Sequence, residues 1–272
     1  MMTAHDGSKL SAKAIKKLAR EYQQDHPGVP YPVARRAVLG TWRPLTVLIS
    51  ETDEQLLRIT LEESVNDGDG IHAGVVGPTG SGKTNLLTVM AQSIRRQPPS
   101  RGAEVIAVGD FLKGTALNAA CDKVVGDSDF AAILTEVCST RLAELRQRGW
   151  QQNMVTRDDA LPAIVMMLDD TIIGSLVGAP ERVLGLPLRA GRSLDVHMVI
   201  AWGADDYPLG PNYWSPQKWW YPHLQSVIEL SGRRPVRGEA EVSTDPRPWQ
   251  GRWHRPGFME PVDLAVPLAG AE

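Results

Sequence analysis

A chain of 272 residues with 42% hydrophobic and 22% charged residues is long enough for one generous α/β core with an appendage. Its composition is neither fibrous nor disordered. The net charge of −3, with a pI near 6.1, excludes a globally basic nucleic-acid binder and leaves room for a local basic patch. Two cysteines, Cys121 and Cys138, exclude a disulfide framework and a four-cysteine zinc site. They fit a reducing compartment and read as small buried apolar groups.

The first residues carry positive charge with no apolar segment behind it, so no secretory signal is expected. No apolar run approaches the ~18 residues that span a bilayer. The expectation is a soluble, cytoplasmic protein, or one peripheral at the inner face of the membrane beside a separate membrane-anchored partner.

Residues 1–45 form the first region. They hold eight basic residues (Lys9, Lys13, Lys16, Lys17, Arg20, Arg35, Arg36, Arg43) against three acidic ones (Asp6, Glu21, Asp25), a local net of +5. Residues 8–24 read as a helix, with Leu10, Ala14, Ile15, Leu18 and Tyr22 near helical spacing and lysines opposite. Gly28 and the prolines at 27, 30 and 32 stop it. This basic arm is either a solvated helix or a contact for DNA phosphates, an acidic membrane surface or a neighbouring subunit.

Residues 46–206 read as the core. Residues 46–50 and 56–61 are two short strands around a turn, and 67–70 is a loop by composition. Apolar strands then alternate with helices: strand 71–76, helix 85–95, strand 104–108, helix 130–148, strand 163–168, helix 180–192 and strand 196–201. Ile133, Val137, Leu142 and Leu145 are expected on the inner face of the long helix. Such alternation specifies an α/β fold, a mostly parallel sheet flanked by helices. Residues 207–272 are rich in Trp, Pro and Arg and read as an irregular extension packed on the core, with one strand at 225–230.

Gly77-Pro78-Thr79-Gly80-Ser81-Gly82-Lys83-Thr84 matches G-x-x-x-x-G-K-[ST] in full, between an apolar strand and a helix. Glycines let the backbone wrap closely, so that successive N–H groups and the following helix N-terminus face phosphates. Lys83 is assigned to the β- and γ-phosphates and Thr84 to Mg²⁺. The binding set for ATP is Gly77 to Thr84 together with Asn85. The strand Ile164–Leu168 ends in Asp169-Asp170. Asp169 is assigned with Thr84 to the Mg²⁺ shell, and Asp170 to orienting and deprotonating the attacking water. The ~85 residues between the two motifs leave room for an intervening strand, as in RecA-like motors.

The strings GVVGPTGSGKTNLLTVMAQSI, VIAVGDFLKG, LPAIVMMLDD and AGRSLDVHMVIAWGAD resemble, in order and spacing, the FtsK/SpoIIIE-type motors. Asp110, Lys113 and Gly114 match that family's Asp-x-Lys-Gly with one extra residue between. Residues 191–197 match its G-R-[SA]-x-G-[IV]-H, except that Asp195 replaces Gly. The family usually has Glu at Asp170, and a Gln near the position where Ala201-Trp202-Gly203 stands. The resemblance implies a RecA-like P-loop NTPase with ATP and Mg²⁺ as cofactors. It further implies a homo-oligomeric ring, in all expectation a hexamer, that moves double-stranded DNA without reading its sequence, as in plasmid or mobile-element conjugation. The chain shows none of the family's membrane helices and no DNA-reading winged helix. The same GRS-x-x-VH string resembles type VII secretion ATPases, which pull protein. An ATP-binding interaction module with weak hydrolysis is the third reading, favoured by Asp170 and the missing Gln.

Arg192 is either the cation that reaches a neighbouring subunit's γ-phosphate or a helix-end arginine in a surface pair. Lys113 supports the phosphates or DNA, or is solvated. His197 is expected to be a hydrogen-bonded structural histidine. Trp219-Trp220-Tyr221 is expected to cover a sheet edge or a subunit interface, with stacking on bases as the alternative.

Overall fold

The computed structural model describes residues 12–25, 31, 34–35, 45–51, 56–62, 68–96, 103–110, 114–153, 161–169, 180–203, 221–231, 249–256, 258, 260–267 and 269. The basic arm contributes helix α1 (Ala12–Asp25). On it Ala19 is fully buried, while Lys16, Lys17 and Arg20 are exposed. Lys17 pairs with Glu21 one turn on, at 3.6 Å, an exposed pair that contributes little.

Strands β1 (Thr46–Glu51) and β2 (Leu56–Thr60) form a separate antiparallel hairpin. The rest of the described core is one eight-stranded sheet. Its elements in chain order are β3 (Ala73–Val76), α2 (Lys83–Arg95), β4 (Ala103–Val108), α3 (Ala116–Ala120), β5 (Lys123–Val125), α4 (Phe130–Gln147), β6 (Ala163–Asp169), α5 (Pro180–Leu194), β7 (Val196–Trp202), β8 (Ser226–Ser231), β9 (Trp249–His254) and β10 (Val262–Val266). The spatial order is β10-β9-β8-β3-β7-β6-β4-β5. All neighbouring pairs from β8 through β5 are parallel; β9 and β10 run antiparallel.

The two faces of the sheet are read directly from residue parity. In β6, Val165 and Met167 join a core cluster with α2 and the β1–β2 hairpin. Ile164, Met166 and Leu168 join a second cluster with α4 and α5. Burial on both faces explains why these strands read as continuous apolar runs. Each fully buried side chain of this size contributes about 1.5–3 kcal/mol.

Two expectations are corrected here. The region from 207 on is not simply an irregular extension: β8, β9 and β10 lie in the central sheet, with β8 directly beside β3. Packing across this part is specific, because the Trp253 indole N–H donates to Ser226 Oγ at 2.7 Å in the interior. Secondly, α4 buries Phe130, Leu134, Cys138, Arg141 and Leu145, whereas Ile133, Val137 and Leu142 are only partly buried beside them. Apolar residues surround much of this helix, so its sequence marks two overlapping stripes. Packing against β4 and β6 selects the one that contains an arginine.

Candidate nucleotide site

The loop between β3 and α2 is built by close approach and by left-handed backbone. Gly77 donates its N–H to Trp202 O at 3.2 Å, fastening the loop to the end of β7. A Cβ at Gly77 would collide with the Leu230 carbonyl and with Ser81 Oγ. Gly80 and Gly82 sit at φ of 80° and 89°, a region that only glycine enters freely. Gly82 caps α2 without a side chain. The first helical i→i−4 bond runs from Leu86 N–H to Gly82 O, so the amides before it lie outside the helix's own ladder.

Lys83 folds back over this loop. Its Nζ donates to Gly77 O at 2.8 Å and to Pro78 O at 3.1 Å. Pro78, Thr79 and Gly80 are exposed, as is Thr84, while Ser81 is fully buried. Ser81 Oγ finds no hydrogen-bond partner among the described residues. The Thr84 carbonyl is taken by Thr88 Oγ1 at 2.8 Å. A glycine-shaped loop, a helix N-terminus with unladdered amides, an ammonium and an orphan hydroxyl together fit a polyphosphate chain.

Asp169 occupies the last position of β6, in register with Ala201 of β7. It is thus at the same carboxyl edge as the loop, two strands away from β3. The strand order reverses between these elements, which is where α/β sheets take ligands. Asp170 and Lys113 lie outside the described residues, as do Trp219 and Trp220.

Asn85 is committed to the chain's own backbone. Its Nδ2 donates to Pro267 O at 2.8 Å, and its Oδ1 accepts from Ala269 N–H at 2.9 Å. Both arms of the amide are therefore used, which leaves Asn85 as an anchor rather than a phosphate ligand through its side chain.

Arg192 stands in the last turn of α5, exposed, and its carbonyl accepts the Asp195 N–H at 3.3 Å. That turn leads into the start of β7, while the loop lies at the opposite, carboxyl end of the parallel strands. About 20 Å of strand separates the two edges, so Arg192 does not join its own chain's loop. Asp110 is also used locally. Its N–H donates to Asp127 Oδ1 at 2.9 Å and its Oδ2 accepts the Asp127 N–H at 3.3 Å, tying the ends of β4 and β5 together.

At the edge away from the loop lies a buried polar network whose members other than Asp195 and His197 the motifs did not mark. Asn153 donates to Asp195 Oδ2 at 3.1 Å and to Leu161 O at 2.9 Å, and accepts Leu161 N–H at 3.0 Å. His197, found as a structural histidine as expected, bridges Ile71 O and Asp195 Oδ1. His72 accepts Met198 N–H and contacts Leu188 O. Burial, then the neighbouring His197, lowers the His72 pKa from 6.5 to about 3. Both cysteines are buried. Burial drives the Cys121 thiol up to about 12 and that of Cys138 to about 11, so neither is a nucleophile at neutral pH.

No known family profile matches the chain, and no curated protein matches it. Solved structures do. The cytoplasmic domain of the Thermomonospora curvata type VII secretion ATPase EccC is 21% identical with a TM-score of 0.61, over 85% of this chain and 30% of that one. The likeness is one of fold: the mostly parallel sheet with helices on both faces is RecA-like. EssC (ATPases 2 and 3) from Geobacillus thermodenitrificans is 13% identical with a TM-score of 0.53, over 85% of this chain and 46% of that one. The pCW3 conjugation coupling protein TcpA, solved with ATPγS, is 15% identical with a TM-score of 0.50, over 84% of this chain and 67% of that one. The chain spans less than half the length of EccC and EssC. Among the described residues, no helix is long and apolar enough to cross a membrane.

Proposed function

We propose that this chain is an ATP-hydrolysing motor of the FtsK/SpoIIIE-like kind that moves double-stranded DNA. The observation that carries the reading is the Lys83 ammonium held over the Gly77–Pro78 carbonyls at the start of α2, at the same sheet edge as Asp169. The motor acts as a homo-oligomeric ring, a hexamer, in conjugative transfer. Likeness to a conjugation coupling protein supports that setting. Exposed Lys16, Lys17 and Arg20 on α1 supply local positive charge for phosphates.

In this reading the backbone amides from Thr79 to Thr84 other than that of Ser81, together with the Lys83 ammonium, hold the triphosphate, and Thr84 and Asp169 would hold Mg²⁺. The metal supplies neutralisation of charge on the phosphate oxygens. Asp170 orients water and takes its proton. Arg192, remote from its own loop, serves the nucleotide of a neighbouring subunit, where it offsets negative charge.

ATP turnover with and without linear double-stranded DNA tests the proposal. Turnover should rise several-fold with DNA, irrespective of its sequence. A second reading, a motor that pulls protein, is favoured by the higher TM-score with a type VII secretion ATPase. Turnover indifferent to DNA supports that reading. Binding without turnover supports the third reading, a nucleotide-gated interaction module, to which Trp202 in place of a polar residue at the end of β7 also speaks: the indole packs beneath Gly74, where a Cβ would collide with the ring.

A further inference from the structure

The first turn of α2 carries no side-chain cap. Gly82 precedes it with no side chain to bond, and no acidic residue stands in the turn itself. A helix start that presents its amides to phosphate cannot be capped in the ordinary way, because the capping oxygen would take the same N–H groups. Uncapped ends fray, so this one needs an anchor that leaves its amides open. Lys83 is not that anchor, since both of its bonds return to the loop. Thr84 is exposed, and its carbonyl accepts from Thr88 Oγ1 on the same helix.

Asn85 ties the turn to another element. Asparagine suits a helix poorly unless its amide is engaged elsewhere. Here Nδ2 donates to Pro267 O at 2.8 Å and Oδ1 accepts Ala269 N–H at 2.9 Å. Both backbone groups follow β10, which is itself held on two sides. β10 pairs with β9 from Val262 to Val266. Ser50 Oγ of β1 donates to Ala265 O at 2.7 Å and accepts Ala265 N–H at 3.0 Å. β1 returns to the far end of α2, where Leu48 N–H donates to Ser93 Oγ at 2.9 Å. These bonds close a ring through α2, β10 and β1, and the link at the phosphate end of α2 is the Asn85 side chain.

We infer that Asn85 is a positioning residue for the phosphate site, and that Pro267 and Ala269 are the strap through which β10 holds the start of α2 in its binding geometry. The inference rests on the nucleotide-binding reading above and names a control on that site. The strap acts through the helix start, so every ligand that uses the phosphate amides feels it, with or without a base. Such coupling is reciprocal: a ligand that needs the anchored helix tightens the anchor by the same factor.

Calorimetry gives the affinities of the full chain, of Asn85→Ala and of Ser50→Ala for Mg-ATP and for inorganic tripolyphosphate with Mg²⁺. Alanine is the best helix former, so the first variant keeps its helix. The second removes two bonds from the same strand away from the start of α2, and measures general loosening. Thermal unfolding identifies the folded variants. The strap predicts a loss of about tenfold or more for both ligands in Asn85→Ala, and parent-like affinity in Ser50→Ala. In the parent, saturating tripolyphosphate should slow hydrogen exchange of the Ala269 N–H to a similar degree, a readout that needs no variant. Parent-like affinity in folded Asn85→Ala, or exchange at Ala269 indifferent to the ligand, overturns the inference. An equal loss in Ser50→Ala overturns it too, because the strand then acts through stability alone. A loss confined to ATP also overturns it, since the helix start serves both ligands. A parent that binds neither ligand overturns the nucleotide reading itself.

Discussion

His197 Nε2 lies 2.9 Å from Asp195 Oδ1, both side chains buried, and Asp195 holds the left-handed backbone at φ 55° from which this contact is made. The His197 Nδ1 faces Ile71 O at 3.0 Å. Both ring nitrogens thus face oxygen atoms of the chain itself. Where the FtsK-like string has Gly, this chain thus takes on about 1–2 kcal/mol of backbone strain and gains a buried histidine–carboxylate contact.

Only a carboxylate accepts on both of its sides here, from His197 and from Asn153 Nδ2. Asp195→Asn is isosteric and tolerates the same φ, but it sets an NH₂ group against one of the two donors. The expected loss is about 1–3 kcal/mol, measured by urea unfolding. Equal stability of the two proteins would contradict the network as drawn.

His72 gives the protein a pH dependence of definite sign. Nδ1 accepts Met198 N–H at 3.0 Å and Nε2 meets Leu188 O at 3.2 Å, so the ring is neutral with its proton on Nε2. Burial first, then the neighbouring His197 and His223, hold its pKa at about 3 against an ordinary 6.5. The contribution is complete above pH 6.5 and is lost as pH falls from 6.5 toward 3, because only the unfolded chain takes up the proton. About 2 kcal/mol should be gone at pH 5. Unfolding at pH 7.5 and pH 5 checks this, and His72→Gln should flatten the difference. A parent protein equally stable at both values would contradict it.

Arg141 is the charge that the inner face of α4 did not need. Its side chain is 5% exposed. Nη2 donates to Pro162 O at 2.6 Å, and Nε is 3.9 Å from Glu144 Oε2. Nε and Nη1 have no hydrogen bond among the described residues, and burial lowers the pKa. Replacing such a group by an apolar one of similar length is often neutral or stabilising. Arg141→Met should therefore melt at or above the parent temperature, and Arg141→Ala below it through lost packing. A Met variant that loses more than about 3 kcal/mol would show that the charge is structurally required.

Under the proposed function, Asp169 at the end of β6 and the next residue in sequence, Asp170, divide the labour. Asp169→Ala should weaken ATP binding only when Mg²⁺ is present. Asp170→Asn should bind ATP normally and hydrolyse it on the order of a hundredfold more slowly, as for loss of a general base. Steady-state turnover beside binding isotherms separates these; parent-like hydrolysis by Asp170→Asn would assign the base elsewhere.

The centre of the parallel sheet was legible because β3 and β7 are buried along their whole length and the helices between strands carry polar residues. The phosphate loop was legible because phosphate contact dictates both residue type and spacing. β9 carried a usable signal that the Trp- and Arg-rich setting obscured: Gly251 and Trp253 are buried while Gln250 and Arg252 are exposed, the alternation of a one-sided strand. β5, three residues long, is too short for periodicity. The destinations of Asn85 and Arg141 were not legible at all. A contact across more than 180 positions leaves no local pattern, and an arginine on an apolar helix face reads as the polar edge of a stripe.

The central claim is that Lys83 and its loop hold a triphosphate, and calorimetric titration of Mg-ATP into the parent and into Lys83→Ala tests it most directly. Lys83 is only partly buried and bonds its own loop, so its removal leaves no buried charge behind and the variant should unfold at nearly the parent temperature. The account predicts saturable binding by the parent and a loss of about tenfold to a hundredfold in the folded variant, the worth of a charge-assisted contact to phosphate. Equal affinity in the two proteins would contradict it.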